Sequence, residues 1–143
     1  MNYYFDTSAL IKSYIEEEGS KKVKSILKSA NQIFVSSITS LECNSTIRRL
    51  LLEKSITELS YNLLRKKIYQ DFEDFSIIPF SIQIEDLAKD YIHQFQLKTL
   101  DGVQLASCVS VVADIQSFVL CDGKLLSSAK KLDIEILNPV VSK

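Results

Sequence analysis

Short apolar runs set between helical stretches are what most restricts the fold open to this chain. Asn2 to Phe5, Ile33 to Val35, Ile77-Ile78, Ser117 to Leu120 and Ile134 to Leu137 are too brief for helices and rich in β-branched or aromatic side chains. Runs of this kind, apolar nearly throughout, mark strands buried on both faces, as in parallel sheets. Strands alternating with helices join by right-handed crossovers. The expected architecture is α/β, a three-layer α/β/α sandwich around a parallel, roughly five-stranded sheet.

Helices are expected at Thr7 to Ile15, Ser20 to Ala30, Ser81 to Phe95, Gly102 to Ala113 and Lys124 to Leu132. Ser36 and Ser37 are candidate N-caps for a long helix to about Glu53. Ser55 and Glu58 form an S-x-x-E box that would open the next. There Tyr61, Leu64, Ile68, Phe72 and Phe75 trace one apolar stripe, with Arg65, Lys66 and Lys67 off it as a solvated face. These two long helices are expected to form a hairpin standing partly clear of the sheet. With 3 Gly and 2 Pro the connections must be short, and 143 residues suit one domain spanning 1–143.

Lys+Arg 17 against Asp+Glu 18 gives a net charge of −1, so any contact with nucleic acid must rest on local basic patches. Cys43, Cys108 and Cys121 form no CxxC pair and fit reduced thiols in a cytoplasmic protein. The N-terminus has no basic signal-peptide region, and no segment approaches the ~20 apolar residues that span a bilayer.

Asp6 and Asp122 each follow an apolar run, at the carboxyl ends of expected strands, where open α/β sheets place ligands. Glu42 and Asp101 fall at helix starts. Singly each has an ordinary explanation, Asp6 as an N-cap, Asp101 facing a helix macrodipole, Asp122 in a turn, Glu42 solvated. If they converge, like charges 4 Å apart repel by about 4 kcal/mol at an effective dielectric of 20, so a shared proton or a cation is required. All-oxygen ligands select hard ions such as Mg²⁺ or Mn²⁺. The single histidine, His93, lies in a polar stretch and supports neither a zinc site nor a Ser-His-Asp triad. No phosphate-binding glycine loop is present. An aspartyl-phosphate phosphatase would want an acid at position 8, where Ser8 stands.

Phe5-Asp6-Thr7-Ser8-Ala9-Leu10-Ile11-Lys12 resembles the opening of PIN domains, and Ser36-Ser37-Ile38-Thr39-Ser40-Leu41-Glu42 their second motif. Leu97 to Ala106 is similar to the third, and Leu120-Cys121-Asp122-Gly123-Lys124-Leu125 to the fourth. The likeness continues into Ile136-Leu137-Asn138-Pro139. It implies a metal-dependent endoribonuclease of the VapC type, the toxin of a toxin–antitoxin pair. Asp6, Glu42, Asp101 and Asp122 would then be the catalytic acids, holding one or two Mg²⁺ or Mn²⁺ ions that activate water against the RNA backbone. Ser8, with Thr7 beside it, would support Asp6. The resemblance further implies a homodimer and a small antitoxin that blocks the site. Leu120 departs from the pattern, since many relatives place Thr or Ser there, and Gly102 stands where relatives often carry Ala or a larger residue, at a cost of ~1 kcal/mol for a glycine in a helix.

Lys12, Arg49, Lys98 and Lys124 are the candidate substrate-binding cations, each near a proposed ligand acid in sequence or on a helical face. Two other readings stay open: a PIN nuclease acting in RNA processing or on structured DNA, and a non-catalytic module whose acid pocket takes a partner's arginine.

Overall fold

The computed structural model describes residues 1–121 and 123–140; Asp122, one of the expected acids, lies outside them. Five strands form one parallel sheet: β1 (Asn2–Phe5), β2 (Gln32–Ser36), β3 (Ser76–Ile78), β4 (Ser117–Val119) and β5 (Ile136–Leu137). Their order is β3-β2-β1-β4-β5. Tyr3 pairs with Ile33 on one side and with Ser117 on the other, so β1 is the central strand. The chain builds outward from β1 through β2 and β3, then returns to the opposite side for β4 and β5. That reversal makes the carboxyl end of β1 the topological switch point, where a crevice opens between diverging connections.

Seven α-helices flank the sheet among the described residues: α1 (Thr7–Leu10), α2 (Ser20–Ser29), α3 (Ser37–Leu52), α4 (Glu58–Asp74), α5 (Ile82–Phe95), α6 (Thr99–Ser110) and α7 (Lys124–Lys131). Alternation along the strands sorts the core into two layers. Tyr4, Phe118 and Leu120 face α5, α6 and α7, and Tyr4 meets Phe118 edge to face at 5.3 Å. Phe5, Val35 and Val119 face α1, α2, α3 and α4. The expected three-layer sandwich is therefore what forms.

The structure revises several boundaries. The expected helix from Thr7 to Ile15 tightens after Leu10 into a 3₁₀ turn over Ile11–Ser13. The helix expected from Gly102 to Ala113 starts earlier, at Thr99, stops at Ser110 and likewise tightens, over Val112–Asp114. Ser55 does not open α4; Thr57 does, its hydroxyl accepting from the Ser60 amide at 3.1 Å. The reason lies in how α3 ends. Lys54 turns left-handed (φ 61°), and the Lys54 and Ser55 amides close back on the Leu51 and Leu50 carbonyls. That pair of bonds is a Schellman closure, so Ser55 is consumed by the C-terminus of α3. Ser36 and Ser81 do cap α3 and α5 as expected. The stripe on α4 is also borne out, with Ile68 and Phe72 buried and Tyr61, Leu64 and Phe75 packed beside them.

Gly102 is a correction of sign. A Cβ built there would lie 2.8 Å from Ile92 Cγ1 and 3.3 Å from the Ala88 carbonyl oxygen, on the facing helix α5. The glycine lets α5 and α6 approach, which outweighs its intrinsic helix cost. Gly102→Ala is accordingly expected to destabilise the fold by roughly 1–3 kcal/mol, as overpacking does, rather than to stabilise it. Urea unfolding of the two proteins checks this; a variant more stable than wild type would show that Ile92 yields freely.

Candidate active site

Asp6 ends β1 at the switch point. Its amide donates to the Val119 carbonyl at 3.0 Å, which continues the sheet by one residue, and its side chain then turns to cap α1. The Ser8 amide and hydroxyl both donate to Asp6 Oδ2, at 3.1 and 2.5 Å. The Ser8 hydroxyl oxygen in turn accepts from the Cys121 amide at 3.2 Å. Ser8 thus ties the end of β1 to the segment following β4, one residue before Asp122.

Glu42 sits on the second turn of α3, and its Oε1 receives two donors: the Thr7 hydroxyl at 2.5 Å and Gln104 Nε2 at 3.0 Å. Gln104 is fully buried on α6. Its Oε1 accepts from the Tyr4 hydroxyl at 2.6 Å, which orients the amide so that its NH₂ faces Glu42. The same NH₂ lies 3.0 Å from Thr39 Oγ1 and 3.1 Å from Thr7 Oγ1. One amide therefore joins β1, α1, α3 and α6 beneath the carboxylate. The motif pattern alone assigns Gln104 no role. Its signal is a long polar side chain inside an apolar helix, which needs partners when buried.

Asp6, Glu42 and Asp101 open onto one cleft of about 570 Å³, with Thr7, Ser8 and Leu100 among its walls. Burial pushes the Asp6 carboxyl up to about 6, against the two Ser8 hydrogen bonds that pull it down, with smaller upward contributions from the charges of Glu42 and Asp101. Asp101 is also raised by burial, and the Lys98 ammonium partly offsets this. So three of the four expected acids share a cleft, and the charges of Glu42 and Asp101 reach Asp6. Among the described residues, no three acid, thiol or imidazole side chains close to the distances of a common coordination sphere.

These donors nonetheless fit a hydrated hard cation. Among the described residues the hydrogen bonds to Asp6 fall on Oδ2 and those to Glu42 on Oε1, leaving Oδ1 and Oε2 available. Mg²⁺ keeps several waters and takes only one or two carboxylates directly, so a cleft that holds acids apart suits it.

The candidate substrate cations are dispersed. Lys12 lies in the 3₁₀ turn, buried and paired with Glu17 at 3.1 Å. Arg49 is exposed and pairs with Glu53 at 3.3 Å, one turn on along α3. Lys98 stands at the N-cap position of α6, close enough to act on Asp101. Lys124 opens α7 and donates to the Gln96 carbonyl at 3.3 Å. None of the four lines the acid cleft. Leu120, where the family resemblance would place a hydroxyl, is fully buried in the core against α5–α7. Burial pushes the Cys43 thiol up to about 12 and the half-buried Cys121 upward as well, which keeps both protonated and inert near neutrality.

A parallel α/β domain with an acid-lined crevice at its central strand belongs to the class that binds ligands outside the carboxyl edge of the sheet. The sequence profile of the PIN domain matches residues 3–137, and the chain belongs to that family. A comparison with curated proteins finds no match in sequence. Among solved structures, the toxin–antitoxin complex from Klebsiella pneumoniae is similar at 17% identity, covering 96% of this chain and 97% of that one, with a TM-score of 0.69. FitAcB from Neisseria gonorrhoeae is similar at 18% identity, 96% and 97% coverage and a TM-score of 0.71. VapBC2 from Rickettsia felis, bound to a promoter DNA fragment, is similar at 14% identity, 96% and 98% coverage and a TM-score of 0.64. Among the described residues no helix is long and apolar enough to cross a membrane.

Proposed function

We propose that this chain is a Mg²⁺- or Mn²⁺-dependent endoribonuclease and the toxin of a toxin–antitoxin pair. The observation that carries the proposal is the convergence of Asp6, Glu42 and Asp101 on one cleft, Asp6 and Glu42 each pinned through a single oxygen. Family membership adds a nuclease scaffold, and the similar complexes from Klebsiella pneumoniae and Rickettsia felis add the toxin–antitoxin context. Asp122 is assigned with the other acids on its motif alone.

When bound, the cation would supply a water of lowered pKa and a positive charge against the phosphate oxygens. The chain's own residues would do the rest. Asp6 and Glu42 would present Oδ1 and Oε2 as ligands, Ser8 and Gln104 would keep those carboxylates from rotating, and Asp101 would add the third negative charge across the cleft. Lys98 would sit where it meets a phosphate entering past Asp101.

Two further assignments follow. A second copy of the chain would pair with this one to form a homodimer. An antitoxin would close the acid cleft, with the pair in the cytoplasm. The experiment is cleavage of total RNA, mapped at its ends, with Mn²⁺ and then with EDTA. Metal-dependent internal cuts leaving 5′-phosphates are expected. RNA left intact under both conditions, with Mn²⁺ bound, would instead support the non-catalytic module.

A further inference from the structure

The cations nominated from sequence do not wall the cleft, and a cleft of carboxylates repels the phosphates it is meant to cut. A compensating positive surface lies across α3. Ser40 and Asn44 form one wall of a groove of about 430 Å³, and Asn62, Arg65 and Lys66 on α4 form the other. Leu41, Glu42 and Ser45, on the adjacent side of α3, wall the acid cleft. One helix therefore separates the groove from the cleft.

Arg48 stands on the ridge between them. It follows Ser45 by three residues and Asn44 by four, the spacings that place helical side chains side by side. Its guanidinium sits 5.7 Å from the centre of the Tyr61 ring, and that of Arg65, on α4, lies 5.8 Å from the same ring. Two helices thus present two guanidinium groups around one aromatic anchor. Among the described residues neither arginine forms an ion pair, nor does Lys66, whereas Arg49 and Lys67 are held by Glu53 and Asp71. In sequence Arg48 is overshadowed by its neighbour Arg49, and Arg65 reads as part of a solvated face.

We infer that Arg48, Arg65 and Lys66 form a docking ledge for the backbone of single-stranded RNA, leading the strand over α3 into the acid cleft. The inference rests on the nuclease reading. Guanidinium groups held on a ring face lose less freedom on meeting a phosphate than free lysines do, and each offers a planar fork for its oxygens. Asn44 and Asn62 line the same groove and offer further donors.

The test measures binding of a short, fluorescein-labelled RNA of mixed sequence across a salt series, in Ca²⁺ to hold back cleavage. Arg48→Ala/Arg65→Ala is expected to weaken binding about tenfold or more and to flatten the salt dependence by about 1.4, at about 0.7 for each single-strand phosphate left without its cation. Tyr61→Leu, which keeps both charges but removes their anchor, is expected to weaken binding while leaving the salt slope near wild type. Lys130→Ala/Lys131→Ala, on α7, serves as the comparison that changes charge equally elsewhere. If that pair loses as much as the arginine pair, or if the arginine pair binds like wild type, the ledge is overturned. Metal-dependent cleavage by the wild-type protein is scored alongside, so that a failed ledge leaves the nuclease reading standing. A wild type that neither binds nor cuts RNA overturns both.

Discussion

Asp6→Asn is expected to lower metal-dependent RNA cleavage by about three orders of magnitude, roughly 4 kcal/mol of transition-state stabilisation, while making the metal-free protein more stable at neutral pH. The two effects have opposite signs for one physical reason. Asparagine keeps the shape and an oxygen to accept from Ser8, so the N-cap of α1 survives. It removes a negative charge that burial disfavours. The folded pKa of Asp6, about 6, stands above the ordinary 3.8, so the folded state holds its proton more tightly than the unfolded chain. Stability therefore falls as pH rises from about 4 through about 6, and the loss is complete above that. It amounts to roughly 3 kcal/mol at about 1.4 kcal/mol per pKa unit.

Three measurements follow from that linkage. In EDTA, the wild type should be more stable at pH 5 than at pH 7.5, and Asp6→Asn should lose most of that difference. Adding Mn²⁺ should raise the melting temperature of wild type above pH 6, with apparent affinity growing from pH 5 to pH 7 as the proton leaves. The variant should gain little. A wild type whose metal-free stability is flat across this range would show that Asp6 is not the buried, proton-holding group described above. Asp101→Asn should lose cleavage too, with a smaller stability gain, because its carboxyl is only half-buried and Lys98 already offsets part of the penalty.

Gln104→Leu carries the second large effect, and here stability and function should fall together. The substitution leaves the Tyr4 hydroxyl without its acceptor in a fully buried position and takes one of the two donors from Glu42. Orphaned buried polar groups cost about 1–3 kcal/mol each, so a total loss of roughly 2–4 kcal/mol is expected on urea unfolding. Removing a group that orients a ligand carboxylate typically lowers metal affinity about 10–100-fold. Mn²⁺ titration by calorimetry, at a temperature where the variant remains folded, measures the second effect apart from the first. Tyr4→Phe provides the partial case, since it removes the donor to Gln104 Oε1 and leaves the amide in place. Should Gln104→Leu bind Mn²⁺ as wild type does, Thr7 alone suffices to hold Glu42.

Much of this site can be read before the fold is known because its acids stand where local signals are strong. Asp6 ends an apolar run and caps a helix, and a capping aspartate announces itself by sequence alone. The cations cannot be read in this way. Lys12 and Arg49 lie at suitable spacings, yet Glu17 and Glu53 take them up, and those pairings depend on where a turn and a helix end bring the acids. Ser55 follows the capping-box pattern and loses to a left-handed closure at Lys54, a competition between two local motifs that pattern matching does not rank. Gly102 looks like a defect because its cost is local and its benefit belongs to the packing of α5 on α6.

The sequence determined by itself that apolar runs would be strands, that periodic stretches would cover them, and that the sheet would be parallel. Those outcomes follow from side-chain alternation and from the handedness of the chain, which operate within a few residues. Tertiary structure decided the strand order, and with it the placing of Asp6 at the reversal beside β4. It also decided that Tyr4, Thr7, Glu42 and Gln104, up to 100 residues apart, would share one buried set of hydrogen bonds. Such pairings form only when the burial of distant apolar faces forces polar groups out of water together, and no local pattern specifies which groups will meet.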